Sequence, residues 1–188
     1  MSIKNSNTKR RKALHDLVKI AILSALASVI MLLEFPLPFI APGFYKLDFS
    51  EVVILIGGFS MGPMAALIIE FIKNLINLLL DGTVTGGVGE LANFLIGVSF
   101  TVSASIVYKF MKTKKGALIN YFIGVPAYAS MFGGIDTIVG LGTAVNPGVS
   151  TLFHFVVLCV VPFNLIKGVF CSVITFLLYK RVSPILHI

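Results

Sequence analysis

TLFHFVVLCVVPFNLIKGVFCSVITFLLY, residues 151–179, is a run of about thirty mostly apolar residues that carries an amide and an ammonium group, Asn164 and Lys167, three positions apart. Crossing ~30 Å of hydrocarbon takes roughly 20 helical residues, so this run is long enough to span a bilayer. A charge at bilayer depth costs roughly 2.5–3.5 kcal/mol on insertion scales, and Lys167 is therefore expected to face a cavity, a partner or a ligand.

The same pattern recurs outward from this run. The chain is 57% hydrophobic and 12% charged with a mean hydropathy of +0.99, more apolar surface than a soluble domain of 188 residues buries. The reading is an all-α polytopic membrane protein, one domain over 1–188 with a basic tail at 1–13. Six transmembrane helices are predicted at about 14–34, 49–62, 63–81, 88–111, 117–141 and 151–179. The second is too short to cross without tilt, with Asp48 and Glu51 at its start and Gly57-Gly58 and Gly62-Pro63 at its end. Such breaks are tolerated where the backbone lines protein or a cavity. The first apolar run is long and lacks a small-residue cleavage site, so it reads as a span and not a removed signal.

Charge sets the expected orientation. Lys4, Lys9, Arg10, Arg11, Lys12 and Lys19 precede or open the first helix; Lys109, Lys112, Lys114 and Lys115 lie between the fourth and fifth; Lys180 and Arg181 follow the sixth. Six crossings place all three clusters on one side, cytoplasmic by the positive-inside rule, with both termini there and the protein multi-pass in the cell membrane. The opposite side carries Glu34, Asp48, Glu51, Asp81 and Glu90, with Lys46 as its main cation. The net charge of +7 thus follows from topology, and the Lys-Arg-Arg-Lys run has no interleaved aromatics for stacking bases, which excludes nucleic acid as a partner.

Catalytic and metal chemistry find little support. Cys159 and Cys171 are separated by about 18 Å of helical rise, beyond disulfide reach, and His15, His154 and His187 have no ligand spacing. The chain contains no Gly-Lys dipeptide and hence no phosphate-cradling loop of the P-loop kind. Gly140-Leu-Gly142 starts like a dinucleotide fingerprint but has Val145 at the third glycine. No enzyme activity, metal or cofactor is expected.

The outward half reads as a binding site. Residues 34–48 form a loop with three prolines and Phe39, Phe44 and Tyr45; proline stiffens the backbone, and the aromatics suit either a planar ligand or an interfacial belt. On the third helix Glu70, Lys73, Asn74 and Asn77 share a face, and Glu70 and Lys73 are spaced to neutralise each other. Glu90 and Asn93 repeat the acid-and-amide pattern on the fourth. In the sixth, Pro162 frees the Leu158 carbonyl to accept a hydrogen bond. Phe44, Tyr45, Lys46, Asp48, Asn77, Glu90, Asn164 and Lys167 are the candidate substrate contacts, suited to a small, flat molecule with a polar edge. Ala21, Ser24, Ala25 and Ser28 make a small-residue ridge on the first helix, of the kind that admits another helix closely.

These features resemble the substrate-binding S components of energy-coupling factor (ECF) transporters. The strings Lys46-Leu-Asp-Phe-Ser-Glu51, Gly57-Gly-Phe-Ser-Met-Gly-Pro63, Ile72-Lys-Asn-Leu75, Gly89-Glu-Leu-Ala-Asn-Phe94 and Pro162-Phe-Asn-Leu-Ile-Lys-Gly168 are similar to the riboflavin-specific members. The resemblance spans all six helices and omits only the basic tail. It implies high-affinity capture of riboflavin as transported ligand, with release driven by a transmembrane coupling protein and two cytoplasmic ATPases. It further implies that Ala21 and Ala25 contact the coupling protein and that Asn164 and Lys167 hydrogen-bond the isoalloxazine edge. Met131 stands where a polar contact is expected. The alternatives are an S component for another vitamin, a stand-alone secondary carrier using Glu70 and Lys73 as a proton relay, and an intramembrane enzyme using Glu90 or Asp136. No inverted repeat supports the carrier, and no paired carboxylates or nucleophile spacing supports the enzyme.

Overall fold

The computed structural model describes residues 2–36, 46–82, 87–111 and 161–186. The predicted fifth helix, 117–141, and the first ten residues of the sixth lie outside the described residues, as do Phe39, Phe44, Tyr45, Met131, Asp136, His154, Leu158, Cys159 and His187.

Five helices and one short hairpin make up the described fold. Helix α1 is Ser2–Met31, 30 residues with no glycine or proline to interrupt it. It begins twelve residues before the predicted start at 14, so the basic tail is helical: hydropathy marks where a helix enters lipid, not where its hydrogen bonding begins. It ends before the predicted 34 in a tightened turn, with Leu33 and Glu34 N–H donating to Ile30 and Met31 carbonyls at 3.1 Å each. Strands β1 (Phe35–Pro36) and β2 (Lys46–Leu47) pair antiparallel, Phe35 opposite Leu47.

Helix α2, Ser50–Met61, has 12 residues and so only about 18 Å of rise, too little to cross a bilayer. It is instead the buried axis, in contact with α1, α3, α4 and the last helix. Its first nine residues, Ser50 to Gly58, are all buried. Gly58 permits this, because a Cβ there would fall 2.0 Å from Ser105 Oγ and 3.0 Å from Ala66 Cβ. The turn out of α2 uses Gly62 at φ 101°, where a side chain would be strained, and Pro63 then opens α3 with a preset φ.

Helix α3, Pro63–Leu80, buries four polar side chains beside Ala65, Ala66 and Ile69 and is apolar outside. Glu70, Lys73, Asn74 and Asn77 are buried, while Met64, Phe71, Leu75 and Leu79 point outward. Lipid rewards this pattern and water does not. Helix α4 is Val88–Met111, and α5 is Val161–Leu186, continuing seven residues past the predicted end at 179 through Lys180 and Arg181. Among the described residues four helices are long and apolar enough to cross a membrane: Asn7–Met31, Pro63–Leu80, Asn93–Phe110 and Pro162–Pro184.

Two contacts fix which ends lie together. Asn93, near the start of α4, reaches Met31 Sδ at the end of α1, and Tyr108 and Tyr179 hydroxyls meet at 3.3 Å beside Phe59. The N-terminus of α1 therefore shares an end with Lys109, Lys180 and Arg181, and the hairpin and the start of α2 occupy the opposite end.

Between α3 and α4, Gly97 leaves room for the buried Glu70 carboxylate; a Cβ there would fall 2.2 Å from Oε1 and 2.4 Å from Cδ. Gly97→Ala is expected to destabilise the protein by about 1–3 kcal/mol through overpacking, read as a lower melting temperature in detergent. An unchanged melting temperature would mean that the carboxylate swings aside without cost.

Candidate functional site

The site is a chain of buried charges tying four elements together. It begins on α5, where Phe163, Asn164, Lys167, Cys171 and Thr175 form the inward face at near-helical spacing. Lys167, 6% exposed, places Nζ 2.8 Å from Asp48 Oδ2 and 3.2 Å from Glu51 Oε1. Asp48 lies just ahead of α2, and its Oδ1 accepts from the Ser50 N–H at 2.8 Å and from the Ser50 hydroxyl. This local turn holds the carboxylate before any distant partner arrives.

From Glu51 the chain continues to Lys73, whose Nζ is 3.3 Å from Glu51 Oε2 and 2.6 Å from Glu70 Oε1. Lys73 and Glu70 are both fully buried. Asn74 Nδ2 donates to Glu70 Oε1 at 2.8 Å, and Asn93 Nδ2 on α4 donates to Asn74 Oδ1 at 3.1 Å. Three carboxylates and two ammonium groups thus alternate. Each buried lysine lies between two acids, which offsets the several kcal/mol that desolvation costs each ion.

The predicted residues distribute unevenly over this framework. Lys167 and Asp48 meet, and Asn164 is buried one turn before Lys167 on the same inward face. Asn77 is buried on the polar face of α3, and its Oδ1 has no hydrogen-bond partner among the described residues. Glu90 is half-buried in the first turn of α4. Lys46 forms a separate clasp, 2.5 Å from Glu34 and 3.5 Å from Asp81, across the base of the hairpin. The hydrogen bond to Glu34 raises the Lys46 ammonium above its ordinary pKa of 10.5, so it stays charged throughout the physiological range. Phe44 and Tyr45 lie outside the described residues.

The small-residue ridge of α1 divides. Ser24 and Ser28 turn inward and are buried, which removes them from any external docking face, whereas Ala21 and Ala25 are exposed. The four positions span more than one helical face once α1 packs against α2 and α3.

Helical spacing pairs Glu70 with Lys73 but does not by itself bring Glu51 and Lys73 to Lys167. A signal existed: Asp48, Glu51 and Glu70 open or occupy apolar segments that hold only Lys73 and Lys167 as cations, and buried charges must find each other. Among the described residues no group of His, Cys, Asp and Glu could hold a metal ion. Cys171 is a buried free thiol.

A family profile described as ECF transporter, substrate-specific component, matches residues 15–179. The riboflavin transporter RibU of Staphylococcus aureus (strain TCH60) is 33% identical over 186 residues, covering 90% of this chain and 91% of its own length. The riboflavin transporter FmnP of Bacillus subtilis (strain 168) is 31% identical over 175 residues, covering 89% and 92%. A solved structure described as the S component of a bacterial ECF transporter matches with a TM-score of 0.72 at 31% identity, over 91% of this chain and 96% of that one. Four apolar helices around a short buried one among the described residues, and a profile that runs through every described helix, make this chain a member of the substrate-specific components of ECF transporters.

Proposed function

We propose that this chain captures riboflavin on the outer side of the cell membrane and releases it inward only in complex with a transmembrane coupling protein and two cytoplasmic ATPases. In this reading the 188 residues form one multi-pass unit with six crossings and both termini cytoplasmic, and it performs no chemistry on its ligand. The observation that carries it is that Asn164 and Lys167 are both buried one turn apart on α5, with Lys167 Nζ 2.8 Å from Asp48 Oδ2. The polar edge of a flavin alternates carbonyl acceptors with an imide N–H. An amide offers both a donor and an acceptor, and an ammonium group has three donors, of which Asp48 and Glu51 take two on Lys167. The relatives named as riboflavin transporters support the same ligand.

Tyr45, Phe44, Lys46, Asp48, Asn77 and Glu90 complete the proposed contact set, and Ala21 and Ala25 the docking face. The test is a titration of the purified protein with riboflavin, followed by flavin fluorescence quenching. Losing one hydrogen bond costs roughly 0.5–1.5 kcal/mol net and more if a partner is left buried and unpaired, and about 1.4 kcal/mol is tenfold in affinity. Asn164→Ala is therefore expected to weaken binding about tenfold in a protein that still folds. Unchanged titration of that variant would remove Asn164 from the site, and a protein that quenches no flavin would sink the riboflavin reading.

A further inference from the structure

The charge network extends beyond the groups assigned to the ligand. Glu51, 2% exposed in the first turn of α2, shares Lys167 with Asp48 and is itself held by Lys73 at 3.3 Å. We propose that Glu51 is a positioning residue for the ligand: it fixes the Lys167 ammonium where the ring edge is read, without touching the ring itself. This deepens the riboflavin reading and rests on it.

A lysine head on a flexible four-carbon stem is not located by one contact, since the ammonium can swing about a single carboxylate while keeping its hydrogen bond. Two carboxylates three residues apart, one ahead of α2 and one in its first turn, form a fork that defines a position for Nζ. The fork is fixed independently of any ligand. Asp48 is tied by Ser50, and Glu51 is tied to α3 by Lys73, which Glu70 holds in turn at 2.6 Å. Groups that bind a planar edge must be held in place by neighbours locked through their own packing and hydrogen bonds. Glu51 is the member of the network that joins the ligand-facing lysine of α5 to the fully buried lysine of α3.

The experiment uses the full chain in detergent with Glu51→Gln, Glu51→Asp and Lys167→Met, alone and combined. Glutamine keeps the size of the side chain and removes its charge. Riboflavin affinity is expected to fall about tenfold in Glu51→Gln, a difference that corresponds to a charged contact. At saturating riboflavin the visible absorption band of the bound flavin is expected to remain shifted from that of the wild type, because a displaced ammonium polarises the ring carbonyls differently. Glu51→Asp, which keeps the charge on a shorter stem, should recover part of both. In the Lys167→Met background, Glu51→Gln should change affinity by less than about twofold, since the two residues act through one interaction. Wild-type absorption of the bound flavin in Glu51→Gln, or additive losses in the double variant, would overturn the proposal and leave Glu51 a purely structural charge. If Lys167→Met does not fold, the bound-flavin spectrum of the two Glu51 variants decides alone. A wild-type protein that binds no riboflavin overturns the ligand reading first, and the two failures are thereby told apart.

Discussion

Lys73→Met is expected to lower stability by about 3–5 kcal/mol. Methionine fills nearly the same volume, so no cavity opens. What remains is two buried carboxylates, Glu51 and Glu70, whose shared cation at 3.3 Å and 2.6 Å has gone. Glu51 keeps Lys167 at 3.2 Å, but Glu70 keeps only neutral donors such as Asn74 among the described residues. For a domain of this length the loss corresponds to a melting temperature lower by roughly 6–20 °C. Combining Lys73→Met with Glu70→Gln should restore part of it, because the unpaired charge is then removed. A single variant that melts with the wild type, or a double variant no better than the single, would show that the network is not held by its charges.

Ala25→Trp is expected to abolish ATP-driven riboflavin uptake while leaving riboflavin affinity unchanged. Ala21 and Ala25 are exposed on α1, away from the buried face of Leu23, Ser24, Ala27 and Ser28, so an indole at 25 has room in the isolated chain. It has none if another helix packs closely there, as small exposed residues in a membrane helix allow. Uptake would be measured in liposomes holding the chain together with an energy-coupling module, with binding measured separately in detergent. Normal uptake by the variant would mean that this face meets only lipid, and a parallel loss of binding would mean that Ala25 supports the fold.

How far the sequence could be read depended on how local each determinant was. The limits of α3 and α4 were visible to within a residue, because Gly62-Pro63 and the Gly87 turn, at φ 91°, mark them chemically. The start of α1 was not, since its first dozen residues are mostly polar and only the absence of helix breakers extends the helix through them. The inward placement of Asn164 and Lys167 was legible, as a charge in an apolar run has few other options. Its partner was not: Asp48 lies 119 residues away, and no local pattern specifies a contact of that range. Lys46 shows the same difficulty, for the residues that hold it are Glu34 at the end of α1 and Asp81 beyond α3.

The position of Glu70 three residues before Lys73 has a bearing on how the protein is made. A nascent α3 emerging into the bilayer must carry two ionised side chains, each unfavourable by roughly 2.5–3.5 kcal/mol at the helix centre. The pair closes within one turn of the same helix, at 2.6 Å, so α3 brings its own counter-charge into the bilayer. The link from Lys73 to Glu51 joins two helices and forms only as they pack. Charge balance within α3 and its packing against α2 are thus served by different contacts of a single ammonium group.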